Sequence, residues 1–201
     1  MVTKDRLSGL IDAIIAVIMT IMLLEFHLPN DGSIVSFLHE NLVYMITYLL
    51  SFLYVVTSWY NQQYMMRQVA HVTRRMYHAT MLWVLSLSLL PILAAWTGRT
   101  IDLFHHFGAN SPKAPALLFF IMIFLWGISY VHMTNVFIAD SPEENALKIK
   151  KMDVIGWLGH PIYRVLNIIV FILTYFYPPF VFVFTAFEMT MALVRSRNQE
   201  N

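Results

Sequence analysis

The chain has 201 residues, of which 58% are hydrophobic and 12% charged, and its mean hydropathy of +0.61 excludes an ordinary soluble domain in favour of an integral membrane protein. The formal net charge is +1, and the thirteen Lys and Arg are dispersed in small clusters, so no basic stripe for nucleic acid is present. There are no cysteines, which excludes disulfides, thiol catalysis and Cys-based zinc sites.

A spanning helix needs about 20 mostly apolar residues, so the spans are read from the gaps between charges. The first predicted span runs from about Leu7 to Leu28. Its apolar core, Ala13 to Leu24, lacks a small-residue exit and continues into Glu25 and His27, so it reads as a retained span rather than a cleavable signal. The second runs from Leu42 to Tyr60, inside an uncharged stretch bounded by Glu40 and Arg67. The third lies between Arg75 and Arg99, and the fourth, starting near Pro115, between Lys113 and Asp140. The last two share the stretch Val154 to Val194, whose only charged residues are Arg164 and Glu188. Pro178-Pro179 near its middle supplies a turn that no helix continues through.

With the first end inside, ten basic residues fall on the inner side: Lys4, Arg6, Arg67, Arg74, Arg75, Lys148, Lys150, Lys151, Arg195 and Arg197. Only Arg99 and Lys113 fall outside. That asymmetry predicts six spans in the cell membrane with both termini cytoplasmic. The longest polar connection, Ala139 to Asp153, is too short to hold a core, so residues 1–201 read as one transmembrane domain.

Ionisable groups inside spans are the first functional candidates, because charge in hydrocarbon is costly unless paired or wet. They are Asp12, Glu25, His132, Arg164 and Glu188. Asp12 either complements the helix N-terminus as a first-turn acid or pairs with Arg6 or a donor on another span, and both readings hold together. Glu25 marks an outer vestibule or is a simple interfacial acid. Arg164, just past Pro161, can snorkel to an interface, and Glu188 faces either a subunit contact or the inner surface. No histidine set has metal-ligand spacing, and the nucleophile, P-loop and paired-aspartate motifs of enzymes are missing, so neither a metal site nor an enzyme is expected.

At 100° per residue Leu10, Ala13, Val17, Ile21, Leu24 and Leu28 form one narrow stripe on the first helix, with Thr20 on its flank and Asp12 on the far side. Periodicity alone makes such a stripe lipid contact or helix packing. The segment Arg6-Leu7-Ser8-Gly9-Leu10-Ile11-Asp12, however, resembles the Arg-x-x-x-Phe-Ser-Asp motif opening the transmembrane-protein-175 family of lysosomal and prokaryotic potassium channels. Arg6 and Asp12 match at the required spacing, and Leu10 and Ile11 replace the family's Phe and Ser. The exit Leu24-Glu25-Phe26-His27-Leu28-Pro29 is similar to the family's Leu-acid-x-basic-x-Pro. Trp59 and Leu90-Pro91 resemble the family's second-helix tryptophan and third-helix Leu-Pro, with Gln62 in place of a family histidine and His78 in place of a family asparagine.

The resemblance implies an all-α homotetramer with six transmembrane helices per subunit and the first helix of each subunit around a central pore. It implies that Val17, Ile21 and Leu24 form apolar constriction rings, that Thr20 contributes to ion selectivity, and that Arg6 and Asp12 are a structural and gating motif, with Glu25 in the outer vestibule. Potassium is then the permeant ion, with no cofactor, and the partners are further copies of the chain and the bilayer. The competing expectation is a secondary transporter or proton-coupled carrier using Glu25, Glu188 or Arg164; the lack of an inverted repeat counts against it.

Overall fold

The computed structural model describes residues 3–152 and 158–196, with the backbone alone for Met22, Glu25, Arg195 and Ser196. Among the described residues there are seven α-helices, two short 3₁₀ turns and no strand. They are α1 Lys4–Ile21, α2 Ile34–Gln68, α3 Arg74–Thr100, α4 Lys113–Ala139, α5 Glu143–Lys150, α6 Pro161–Phe176 and α7 Phe180–Ser196.

The charge gaps and the helices agree closely in the middle of the chain. α3 and α4, each of 27 residues, fill the third and fourth gaps end to end. α2 is longer than the predicted second span: its 35 residues follow Ser33, whose hydroxyl caps the Ser36 amide, and reach about 52 Å, well beyond a hydrocarbon layer. The turn at Pro178-Pro179 separates α6 from α7 as expected, whereas the predicted start of the fifth span at Val154 lies outside the described residues. By length and apolarity α2, α3 and α4 are long enough to cross a membrane; α6 and α7 are apolar but shorter.

The connection between α4 and the last pair holds a helix that the charge gaps do not reveal. α5 follows Pro142, carries Glu143 and Glu144 in its first turn and Lys148 and Lys150 in its last, so each end matches the helix dipole. Lys148 Nζ also donates to Glu144 Oε1 at 2.8 Å, which with the lysine's charge holds the Glu144 carboxyl below its usual range.

The helices pack as an antiparallel bundle in which α3 contacts α4 most extensively, α2 lies against α3 and α7, α1 rests on α2 and α3, and α6 lies against α4 and α7. α2 and α3 approach so closely that a Cβ on Gly98 would stand 2.8 Å from Thr47 Oγ1 and 3.3 Å from the Tyr44 Cα. Glycine at that position is what permits the approach.

Contacts between the ends show how the charges are sorted. At one end Lys4 Nζ donates to the Val69 carbonyl at 3.0 Å, while the Thr73 hydroxyl and Arg75 Nη1 both donate to Asp140. At the other end Arg99 stands over the Tyr44 ring, Lys113 over the Tyr175 ring, and the Tyr177 hydroxyl donates to the Phe107 carbonyl. Among the described residues the basic side chains of Lys4 and Arg75 therefore lie at one end of the bundle and Arg99 and Lys113 at the opposite end, as the charge count has them.

Candidate pore-lining site

α1 begins at Thr3, whose hydroxyl accepts the Arg6 amide at 3.4 Å, and Asp5 in the first turn suits the helix dipole. Leu7, Ile11, Ile15 and Ile18 recur at helical spacing and are buried against α2 and α3. The stripe does the opposite. Val17 is 60% exposed, Ile21 46% and Leu24 83%, against 5% for Ile18 next to Val17. An apolar face left open by the chain's own packing is a surface that another body or lipid must cover.

The helix does not run α-helical through the whole stripe. It stops at Ile21, and Met22–Glu25 tighten into a 3₁₀ turn before Phe26 becomes extended. A 3₁₀ turn has about three residues per turn, so Leu24 stands in line with Ile21 instead of stepping round the axis as the 100° projection has it. The tightening keeps the two side chains on one line.

Thr20 hydrogen-bonds back to its own helix, its hydroxyl donating to the Ala16 carbonyl at 3.0 Å and the Val17 carbonyl at 3.2 Å. With the hydrogen used internally, the oxygen keeps lone pairs, the chemistry that a cation shedding water needs.

Asp12 is held from a second helix. Trp59 Nε1 and Gln63 Nε2 both donate to Asp12 Oδ1 at 2.8 Å, and they stand one turn apart on α2. This is the donor from another span. Arg6, by contrast, makes no ion pair with Asp12 among the described residues; its side chain is exposed on a different side of α1.

The glutamine that reaches Asp12 is not Gln62, the residue standing in place of the family histidine. Gln62 is fully buried, with neither amide atom hydrogen-bonded among the described residues, while its neighbour Gln63 makes the contact. On α2 Gln63 lies four residues after Trp59 and so shares its face more nearly than Gln62, three residues after. His78 takes no part either: its Nε2 accepts from Arg74 Nε at 3.4 Å.

At the far end of α1 the exit segment is pinned. Asn41 accepts the His27 amide at 2.9 Å and donates to the His27 carbonyl at 2.8 Å, and Phe26 packs among Phe37, Tyr44 and Tyr48. Arg99 Nη2 lies 3.4 Å from His27 Nδ1. The side chain of Glu25, the expected vestibule acid, lies outside the described residues.

A family model described as the endosomal/lysosomal potassium channel TMEM175 matches residues 6–91, from Arg6 through the clamp to Pro91 of α3. A potassium channel of Chryseobacterium sp. (strain P1-3) is 32% identical over 146 residues, covering 73% of this chain and 71% of that protein. The chain belongs to the TMEM175 family. A crystal structure of a lysosomal potassium-selective channel TMEM175 homolog from Chamaesiphon minutus superposes with a TM-score of 0.70 over 98% of both chains at 17% identity, which establishes a shared TMEM175 fold. The family and both relatives are channels, not enzymes.

One intramembrane group found a partner that the sequence left open. Glu188 of α7 is 6% exposed, and the Tyr163 hydroxyl of α6 donates to its Oε1 at 2.5 Å. Glu188 is thus a bolt between the last two helices and not a surface acid. No local signal pairs residues 25 apart on two helices; only the topology of the hairpin does.

Proposed function

We propose that the chain is the subunit of a passive potassium channel: one six-span domain, residues 1–201, assembled as a homotetramer in the cell membrane with both termini cytoplasmic. α1 of each subunit lines the central pore, Val17, Ile21 and Leu24 form apolar rings that gate by dewetting, and Thr20 lends lone pairs to the dehydrating ion. Potassium is the permeant ion and no chemical cofactor takes part.

The observation that carries this reading is the open stripe of α1 beside its clamped flank. Val17, Ile21 and Leu24 are uncovered while Leu7, Ile11, Ile15 and Ile18 are packed, and Asp12 ties the helix to α2 through Trp59 and Gln63. One helix cannot enclose a water path, so a stripe serving as a pore wall must meet copies of itself around an axis. Membership of a potassium-channel family and a 32% identical relative named as a potassium channel supply the ion. The short α6 and α7 accommodate a crossing by local bilayer thinning and snorkelling of flanking residues. Arg6, facing away from Asp12 within the subunit, is left to pair across a subunit boundary or with lipid phosphate.

Purified full-length chain in planar bilayers tests it. Discrete unitary potassium currents are expected; smooth, saturable uptake without unitary events would make the protein a carrier. Because the chain has no cysteine, single cysteines localise the pore: thiol reagents should block current at positions 17, 21 and 24, and modification at 18 with none of those three would remove α1 from the pore wall.

A further inference from the structure

Between α4 and the start of α6 lies a groove of about 230 Å³, walled by Phe124, Gly127, Ile128 and Val131 on one side and by Tyr163 and Arg164 on the other. Two features single it out. Gly127 makes a notch in α4: a Cβ there would meet nothing closer than the Tyr163 hydroxyl at 3.9 Å, so the glycine is not forced by close packing. Arg164 is exposed at the groove and, among the described residues, has no carboxylate partner and no hydrogen bond. An arginine in the first turn of α6 also works against the helix dipole, so helix stability does not account for it.

An apolar groove on a membrane helix pair with an unpaired guanidinium at its edge has the chemistry of a lipid with a fatty tail and a phosphate head. We propose that this groove binds an anionic phospholipid, one acyl chain lying along Gly127 and Ile128 and the phosphate held by Arg164. The charge selects the class: a guanidinium offers a forked, doubly hydrogen-bonding partner to a phosphate, and net negative headgroups are preferred over zwitterionic ones by the same field. Arg164 belongs to the end of the bundle that carries the basic clusters, so the lipid comes from the leaflet facing that end. Tyr163, in the floor of the groove, bonds Glu188 of α7, which places the lipid against the junction of the last two helices.

The proposal rests on the reading of α4 and α6 as membrane spans, and its test is separable from the channel reading. Native mass spectrometry of the full-length oligomer would count bound phosphatidylglycerol and phosphatidylcholine supplied at equal concentration. Phosphatidylglycerol should be retained with roughly tenfold preference, and Arg164→Gln should reduce its binding roughly tenfold, to the phosphatidylcholine level. Gly127→Leu, which fills the notch and leaves the charge, should reduce binding of both lipids.

Assembled mass and potassium flux of the same preparations report folding and conduction. Should Arg164→Gln fail to assemble, the wild type and Gly127→Leu carry the test, with wild-type phosphatidylglycerol binding expected to fall as salt is raised. Equal retention of the two lipids by the wild type, unchanged binding in Arg164→Gln or Gly127→Leu, or no lipid on any variant because a neighbouring subunit fills the groove would each overturn the proposal. Loss of potassium flux with lipid binding intact would instead sink the channel reading and leave this one standing.

Discussion

Asp12 on α1 and Glu188 on α7 are both single carboxylates in apolar helices, and the fold holds them in opposite ways. Asp12 sits on an open flank of the subunit with two N–H donors from α2 on one oxygen. Glu188 is enclosed, with one hydroxyl donor from α6 and a second oxygen that has no partner among the described residues. The first arrangement fixes the rotation of a helix whose remaining face is uncovered. The second pins two helices together inside the bundle. Position relative to the protein surface, and not the kind of residue, separates a group that orients an open face from one that holds an interior.

The largest effect should come from Asp12→Ala. It leaves the Trp59 indole and the Gln63 amide without their acceptor and frees α1 to rotate, costing about 3 to 6 kcal/mol if each of the two charge-assisted bonds contributes its usual share. Thermal melts followed by size-exclusion chromatography should show less assembled oligomer, while the channels that do assemble keep their potassium preference. A well-assembled variant that loses potassium preference would put Asp12 on the pore side and collapse the contrast with Glu188.

Second in size is Tyr163→Phe, which removes the donor and leaves the Glu188 carboxyl enclosed. A buried polar group stripped of its partner costs about 1 to 3 kcal/mol, and Glu188→Leu should cost less because what it leaves without its partner is one neutral hydroxyl and not a carboxyl. Both variants should keep the oligomer's size and shift only its melting point. If Glu188→Leu instead dissociates the oligomer, Glu188 belongs to an interface and the two carboxylates are alike.

How far these arrangements can be read from the residues differs in the same way. The ends of α3 and α4 were legible because charges tolerate only the membrane's edges, and that constraint is local. That Asp12 takes a donor from another span was legible as one of two readings, and family likeness singled out Trp59 without pairing it to Asp12. The identity of the donors, Trp59 and Gln63, was not legible, since only the actual crossing of α1 over α2 decides which side chains reach Asp12. The tie between Tyr163 and Glu188 depends on how α6 and α7 fold back at Pro178-Pro179, information that neither helix carries alone. The helix Glu143–Lys150 stood in plain sight in Pro142-Glu143-Glu144 and its later lysines, a start and stop signal masked by attention to apolar length.

A smaller effect is expected at Thr20, on the face of α1 that Asp12 orients. Thr20→Val keeps shape and β-branching but removes the oxygen whose hydrogen is spent on the Ala16 and Val17 carbonyls. Loss of one oxygen ligand is worth about 1 kcal/mol, roughly fivefold, in preference for potassium over sodium, read from reversal potentials. Thr20→Ser should retain most of it. Unchanged selectivity in Thr20→Val would show that the open flank of α1 is turned to protein or lipid, and that Asp12 orients something other than a pore.

The smallest effect is expected at a carboxylate that water reaches. Asp102, in the loop after α3, accepts the Phe104 and His105 amides at 3.1 and 3.2 Å and pairs with the His105 ring, so it has more partners than Asp12 or Glu188. The His105 contact, chiefly, holds its carboxyl below the usual range. A carboxylate with a lowered folded-state value contributes stability that is fully present above its unfolded value and fades as pH falls through the folded one. The melting point of wild type relative to Asp102→Asn should therefore converge only in strongly acidic buffer. At neutral pH the difference should already be slight, because water and salt screen every one of these bonds and replace them when they break. A loss at Asp102 as large as that at Asp12 would mean that the number of partners sets the effect. The expected contrast, larger effects at the two carboxylates of the apolar helices with their one and two donors and little effect at the loop carboxylate with its three, follows if what matters is whether water can stand in for the partner that was removed.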